Sequence, residues 1–419
     1  MADCTVPDNI KINLPDRLKN IAAYMWSLFC ESTSADSLVE KEDFEFTIEA
    51  SGSFPITSTF ELLLDNNIEE VARIYNLPDG LDTFAKNDPV ACCFYLINSL
   101  HERLLPKCKL DKFGRYPYKE SIQFKNNIIE LNYCQNIFNS IFKQIFQQEV
   151  PLIKSKIFWS HDIDYLFSAW KSGIIQSIRN RKFTQIPKHI INRLFSHHNW
   201  DNLDEILKLE KKFNIPSVFF FLTESGKFHL VNGHIDHADY AIGSLSMVRR
   251  IHAIHTNGSL VGLHKSAFPL SYREEINKFN LPIYGNRNHF LKFHINDHYQ
   301  QIEKAGLQYD ASLGFAEHYG FRNSFGRPFR PYNLTKNKPH SFIEYPLHLM
   351  DATFTEYLGN STESMLIKMK QWITSHNTQC VISLLLHNSH MNLWRTGQKS
   401  LWETFYREVD NMGLESFLP

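Results

Sequence analysis

The stretch "KIFWSHDIDYLF", residues 156–167, places His161, Asp162 and Asp164 within four positions, directly after the apolar run Ile157-Phe158-Trp159. A buried carboxylate is costly unless it is paired, hydrogen-bonded or bound to a metal. Three more apolar runs end the same way. "VGLHKS" carries His264, "YGNRNHF" carries Arg287 and His289, and "SLLLHNS" carries His387. Side chains alternate along a strand, so Asp162 and Asp164 share one face and His161 points to the other. One carboxylate with two neutral imidazoles makes an open site for Zn2+ or a similar divalent ion. A second Asp beside it can act as base toward a water.

The elements that must position these residues follow from the periodicity. From residue 156 onward short apolar strands alternate with helical stretches. The strands are "KIFWSHD", "PSVFFFLT", "SLVGLHKS", "LPIYGNRNHF", "SFIEYPLHLM" and "CVISLLLHNS". The helices between them are "NLDEILKLEKKFN", "LSMVRRIHAIHTNG", "HYQQIEKAG" and "TESMLIKMKQWITSH". Such alternation predicts a parallel α/β unit, open or closed into a barrel, with functional residues at the C-terminal strand ends. Residues 1–150 read differently. "DRLKNIAAYMWSLFC" and "YCQNIFNSIFKQIFQQ" have helical spacing, and "DFEFTIEA" alternates like a strand. In "DPVACCFYLINSLHERLL", Asp88 and Pro89 mark a helix start. Between these lies the turn-rich "CKLDKFGRYPYKES". The expected organisation is a smaller N-terminal α+β domain over 1–150 and a (β/α) barrel-like domain over 151–419.

A chain of 419 residues with 43% hydrophobic content, 14% aromatic content and 33 Phe has material for two cores and is not disordered. The net charge of -1 provides no global field for nucleic acid, and no Gly-rich phosphate loop is present. The start, "MADCTVPDNIKINLPDRLKN", has neither a basic opening nor an apolar core, so no secretory signal is expected. Runs such as "SVFFFL" are far too short to span a bilayer. Of seven cysteines none forms a CxxC pair, and Cys92 and Cys93 are adjacent, which suits reduced thiols in a cytoplasmic protein.

From about residue 151 the chain resembles the NodB-type polysaccharide deacetylases, carbohydrate esterase family 4. In that family a strand ends in two aspartates, the first a base and the second a metal ligand. The resemblance therefore implies Asp162 as base and Asp164 as ligand. The family's H-(S/T)-x-x-H motif supplies two His ligands. Here "HKSAF" keeps His264 but has Phe268 in the second position. The R-x-P-Y motif, whose Arg orients the base, is "RNHF" here, with Arg287 kept and His289 in the Pro position. The L-x-H motif, whose His serves the leaving group, is met by "LLLH" and His387. "YDASLGF", residues 309–315, resembles the stretch after the third motif. A His is lost at 268 and one is gained at 289, and this pattern resembles a bacterial branch with HDxD, GLHxS and RxH motifs. In that branch the N-terminal part also resembles "DPVACCFYLINSLHER…DKFGRYP".

The resemblance implies a divalent-metal-dependent carbohydrate N-deacetylase with Asp164 and His264 as ligands, and His289, two positions after Arg287 and able to face the cleft with it, is expected to replace the ligand missing at 268. Its substrate would be an N-acetylated glycan or a lipid-linked glycan precursor. Two other classes fit the same fold: a metal amidohydrolase acting on a small non-sugar amide, and a catalytically silent glycan-binding or assembly protein. Other polar residues divide between a site role and a structural one. Arg322 either reaches the cleft and binds substrate or forms a loop-stabilising ion pair. Asp351 reads as a helix cap after "FIEYPLHLM" rather than a neighbour of the site. His390 lies close enough to His387 to be confused with it. His252 and His255 sit three apart on a helix without a carboxylate, and His234 and His237 look like a polar loop. The basic insert 177–198 is either a solvated helical face or a lid that meets an anionic glycan, a diphosphate-linked sugar or a membrane surface. No carboxylate–His constellation stands out in 1–150, so that part is expected to contribute no catalytic group.

Overall fold

The computed structural model describes the chain except residues 1–6, 8, 42–43, 180, 188–189, 192–199, 232 and 394–395. Its centre is an all-parallel sheet. In chain order the strands are β1 (Lys156–Ile163), β2 (Ser217–Leu222), β3 (Leu260–Lys265), β4 (Gly285–Asn288), β5 (Tyr309–Asp310), β6 (Ile343–Glu344), β7 (Leu349–Met350) and β8 (Val381–Leu385). They lie in the order β6-β5-β4-β3-β2-β1-β8-β7, and a short ninth strand, β9 (Glu415–Ser416), also pairs with β1. β2 is apolar on both faces because each face is covered, and β1 is apolar on both until Ser160. All residues of β2 are buried, and so are all of β1 except Lys156.

The two edges of this sheet, β6 and β7, are consecutive in the sequence and are joined by residues 345–348 alone. Eight flat strands would span about 34 Å, whereas the link from Glu344 to Leu349 reaches at most about 18 Å. The sheet must therefore curl until its edges approach, which makes the unit barrel-like. The run "SFIEYPLHLM" is consequently two short edge strands rather than the single strand expected. Pro346 lies in the link, where no ladder hydrogen bond is needed. Phe158, Val218, Phe220, Tyr309, Ala311 and Tyr345 form a separate apolar cluster of residues from these strands and their ends.

Helices return the chain between strands, and local signals start and stop them. Ser244 caps the helix Leu245–Thr256, Ser361 caps Thr362–Ser375, and Ser271 with Glu274 forms a capping box. The helix Ile295–Ala305 ends at Gly306 in the left-handed conformation.

The N-terminal region is mainly helical, with one parallel pair, Ile10–Ile12 on Phe46–Ile48. Helices α1 (Asp16–Thr33), α2 (Pro89–Ile97) and α3 (Tyr133–Phe146) build most of its core. One hydrophobic cluster runs without a break from Trp26, Phe29 and Phe94 to Phe325, Ile382 and Trp402. The seam is polar where segment 322–332 crosses it. Arg322 pairs with Glu102, Cys134 N–H donates to Ser324 O, and Tyr332 N–H donates to Asn98 Oδ1.

Of the basic insert 177–198, the end of the helix Ala169–Arg179 and a turn at Phe183–Gln185 are described, with Ile178 and Phe183 exposed. Residues 180, 188–189 and 192–198 of that insert lie outside the described residues. Among the described residues no helix is long and apolar enough to cross a membrane.

Candidate active site

The alternation along β1 places Ser160 and Asp162 inside the barrel and His161 outside. His161 is spent on structure, with one ring nitrogen 2.7 Å from Glu210 Oε1 and the other 3.0 Å from Leu386 O. Arg287 on β4 crosses the barrel to reach the inner residues. Its Nη1 donates to Asp162 Oδ1 at 3.0 Å and to Ser160 Oγ at 2.8 Å, and its Nε donates to Ala311 O at 2.9 Å. The guanidinium lies 4.6 Å from the centre of the Phe220 ring. That ring occupies space that only glycine leaves free, since a Cβ at Gly262 would come within 2.5 Å of it. Gly262, Phe220, Arg287 and Asp162 thus form one packed stack that fixes the carboxylate.

Asp164, His264 and His289 converge beside it. His264 Nε2 lies 3.3 Å from Asp164 Oδ1, and His289 Nε2 lies 3.6 Å from the same oxygen. Among the described residues these three buried atoms have no hydrogen-bond partner. An unmade hydrogen bond in a buried group costs about 1–3 kcal/mol, and these three ligand atoms lie close enough together to hold a metal ion. His264 Nδ1 lies 2.9 Å from Arg287 O, and a carbonyl can only accept, so Nδ1 carries a proton and Nε2 is the atom left to face Asp164. Burial opposes charge on Asp164, but His289 and His264 outweigh it and hold its pKa well below the usual carboxylate range. Burial also pushes His289 toward its neutral, ligating form. Behind His289 packs His237, 5.0 Å between ring centres, and Phe268 packs on His237 at 4.8 Å. Position 268 therefore lies behind these rings, as a packing residue. After His289 the chain turns sharply through Phe290 and Leu291, both at positive φ, a conformation that disfavours bulky side chains.

The loop after β3 is held by a buried ion pair. Lys265 Nζ lies 2.7 Å from Glu275 Oε1 and also donates to Ser266 O and Phe268 O. This explains the residues between His264 and Phe268 without giving them a chemical role.

His387 follows β8. Its Nδ1 lies 2.6 Å from Asp351 Oδ1, and its Nε2 lies 3.9 Å from Asp164 Oδ2. Burial opposes the charged ring, but Asp351 outweighs it and raises the pKa to about 10. Asp351 itself is fully buried. Asp351 does both things the sequence left open: its Oδ1 accepts the Ala352 N–H where the helix begins, and, because β7 and β8 are neighbours, it also reaches the site through His387. His390 shares the same carboxylate, with its Nδ1 3.5 Å from Asp351 Oδ2. Its Nε2 lies 3.3 Å from Glu356 Oε1, on the cavity wall.

A cavity of about 220 Å³ opens onto these groups. Its wall includes Asp162, Asp164, His264, His289 and His387, with Leu291, Ala316 and Met350 on the apolar side and Arg115 and Tyr357 on another. Arg322 is not part of that wall. It is buried, with its Nε and Nη2 donating to Glu102 at 2.8 and 2.7 Å, and Nη1 to Gly314 O at 2.9 Å. The structure thus places Arg322 in the ion pair, the second of its two readings, because the buried Glu102 requires a counter-charge. His252 and His255 are exposed on their helix, away from the cavity. Arg115 was not singled out by spacing. It comes from the turn-rich segment before residue 150, so the N-terminal region does contribute to the cavity wall.

A family model described as a family of unknown function (DUF7033) matches residues 23–151. No curated protein matches the chain. Among solved structures, a protein assigned as a polysaccharide deacetylase from Mycobacterium smegmatis is similar at 13% identity and TM-score 0.40, over 63% of this chain and 87% of that one. The chitin deacetylase of the fungal pathogen Colletotrichum lindemuthianum is similar at 12% identity and TM-score 0.32, over 63% and 85%. A CE4 family pseudoenzyme from Bacillus anthracis is similar at 11% identity and TM-score 0.27, over 62% and 63%.

Proposed function

We propose that the chain is a divalent-metal-dependent hydrolase that removes N-acetyl groups from an amino-sugar-containing glycan or glycan precursor. The observation that carries this reading is the convergence of three buried, unpartnered ligand atoms, from Asp164, His264 and His289, beside the pairs Asp162–Arg287 and His387–Asp351. A divalent ion such as Zn2+, when bound there, supplies Lewis-acid polarisation of the amide carbonyl and eases ionisation of a water.

The chain's own residues divide the remaining work. Asp162 accepts the proton of the attacking water, and Arg287 holds that carboxylate in place. His387 is protonated at neutral pH and donates to the departing amine, while Asp351 orients it. Leu291, Ala316 and Met350 form the apolar side that receives the acetyl methyl. The products are acetate and a free amino sugar. The six described cysteines are free, which supports a reducing, cytoplasmic setting.

The test is acetate release from β-1,4-linked N-acetylglucosamine oligomers by chelator-treated protein, before and after Zn2+ is restored. Turnover that depends on the ion supports the reading. Metal binding with turnover of small amides only points to the amidohydrolase class. Metal binding with no turnover of either points to a silent glycan-binding protein.

A further inference from the structure

One wall of the cavity is not built by the barrel. Arg115 reaches it from the N-terminal region, and its setting is rigid. Asp111 Oδ1 accepts the backbone N–H groups of Phe113 and Arg115, both at 2.8 Å, and Asp111 Oδ2 accepts Arg115 Nε at 2.7 Å. The guanidinium lies against two rings, 4.9 Å from the centre of Phe113 and 5.8 Å from that of Tyr357. Nη1 donates to Phe290 O and to Tyr357 Oη, each at 3.2 Å. Nη2 has no hydrogen-bond partner among the described residues and is not sealed from solvent. Tyr357 accepts from Arg115, so its own proton is free to donate. Arg115 and Tyr357 both line the cavity, which therefore carries a fixed pair of donors on the side away from the barrel.

Charge decides what they bind. Asp111 already neutralises Arg115, and Asp162, Asp164 and Glu356 line the same cavity. The Arg115–Asp111 pair therefore offers an anion no net charge, only hydrogen bonds. A neutral oxygen acceptor fits, and on an amino sugar that is a ring hydroxyl. Resting on the deacetylase reading above, we propose that Arg115 and Tyr357 hold a hydroxyl of the sugar that carries the acetamido group. The N-terminal region would then complete the substrate site, and the sugar would be uncharged at that position. A rigid fork loses little freedom when it binds, which favours discrimination by hydroxyl position.

The competing role for Arg115 is a strut, because its bond to Phe290 O braces the turn that follows His289. The experiment separates the two. Wild-type protein, Arg115→Ala, Arg115→Lys and Tyr357→Phe are compared for KM, kcat and metal per chain, with the β-1,4-linked N-acetylglucosamine tetramer as probe. Substrate contact predicts a KM raised about 10- to 100-fold in Arg115→Ala with kcat and metal content kept. Arg115→Lys should recover little, since it lacks the fork. Tyr357→Phe, which keeps the ring, should raise KM by about fivefold and carries the test alone if Arg115→Ala does not fold. Unchanged KM in the folded variants overturns the proposal, and so does loss of metal from Arg115→Ala, which would make Arg115 a strut. A wild-type chain that releases no acetate from the tetramer removes the deacetylase reading and this proposal with it. An active wild type with unaffected variants removes this proposal only.

Discussion

His387 and Asp351 leave neighbouring strands and lock together twice. The ring Nδ1 lies 2.6 Å from Asp351 Oδ1, and the His387 backbone N–H donates to Asp351 Oδ2 at 2.6 Å. The carboxylate thus sets both the position of the ring and its charge.

This pair makes a prediction about pH. The His387 pKa is raised to about 10, so the ring keeps its proton through neutral and mildly alkaline pH and loses it only above that range. Asp351→Asn removes the charge but keeps the shape. The alkaline limb of the kcat–pH profile should then move down by about 1–3 units, with the acid side little changed. An unmoved alkaline limb in a folded variant would remove His387 as the proton donor.

Asp162 and Asp164 are two residues apart and should fail in different ways. Asp162→Asn keeps size but cannot take a proton, and kcat should fall about 10²- to 10⁴-fold with metal retained. Asp164→Asn should lose metal instead. Wild-type activity in both would mean that the site is elsewhere.

The departure from the family pattern is tested at His289 and Phe268. His289→Ala should strongly lower metal per chain after dialysis, while circular dichroism reports an intact fold. Phe268→Ala should affect packing against His237 and Phe228 and leave metal content unchanged. Full occupancy in folded His289→Ala would exclude His289 as a ligand. Phe268→His in the His289→Ala background asks whether the backbone still accommodates the family arrangement.

Metal affinity should depend on pH in a definite direction. Burial opposes charge on His264, but Asp162 and Asp164 together raise its pKa above the ordinary value, so a proton competes for Nε2. A cation must displace that proton. Affinity should therefore rise with pH, by about tenfold per unit where His264 is protonated in the free chain. Titration calorimetry in buffers of different ionisation enthalpy would register the released proton. Affinity independent of pH between 5.5 and 8 would count against His264 as ligand.

Arg322 and Glu102 join the N-terminal region to the barrel, and both side chains are nearly sealed from water, at 1% and 4% exposure. Arg322→Met strands the buried carboxylate and should cost about 3–5 kcal/mol in denaturant unfolding. Replacing both with apolar residues should cost much less. A single variant of wild-type stability would mean that Glu102 is not charged in the fold.

The sequence by itself determined the chemistry of each strand end. Alternation separated His161 from Asp162 and Asp164, because a two-residue period follows from backbone geometry alone. The apolar runs marked six segments as strand-forming, because parallel strands covered on both faces bury a run of apolar residues before their polar ends. Tertiary structure decided which ends meet. Asp351 was legible as a polar residue after an apolar run, but only the pairing of β7 with β8 brings it to His387. "SFIEYPLHLM" carries the apolar signal of one strand, yet closure of the barrel divides it between the two edges. Arg115 carried no chemical signal in its spacing, although it lies in "DKFGRYP", part of the resemblance. It lies 47 residues before Asp162, in a segment whose pattern records only turns, and it reaches the cavity because the N-terminal helices share one core with the barrel. Local periodicity reports what a residue's nearest neighbours along the chain require. A site assembled from several strand ends and a distant turn depends on contacts between residues far apart in the sequence, which that periodicity does not record.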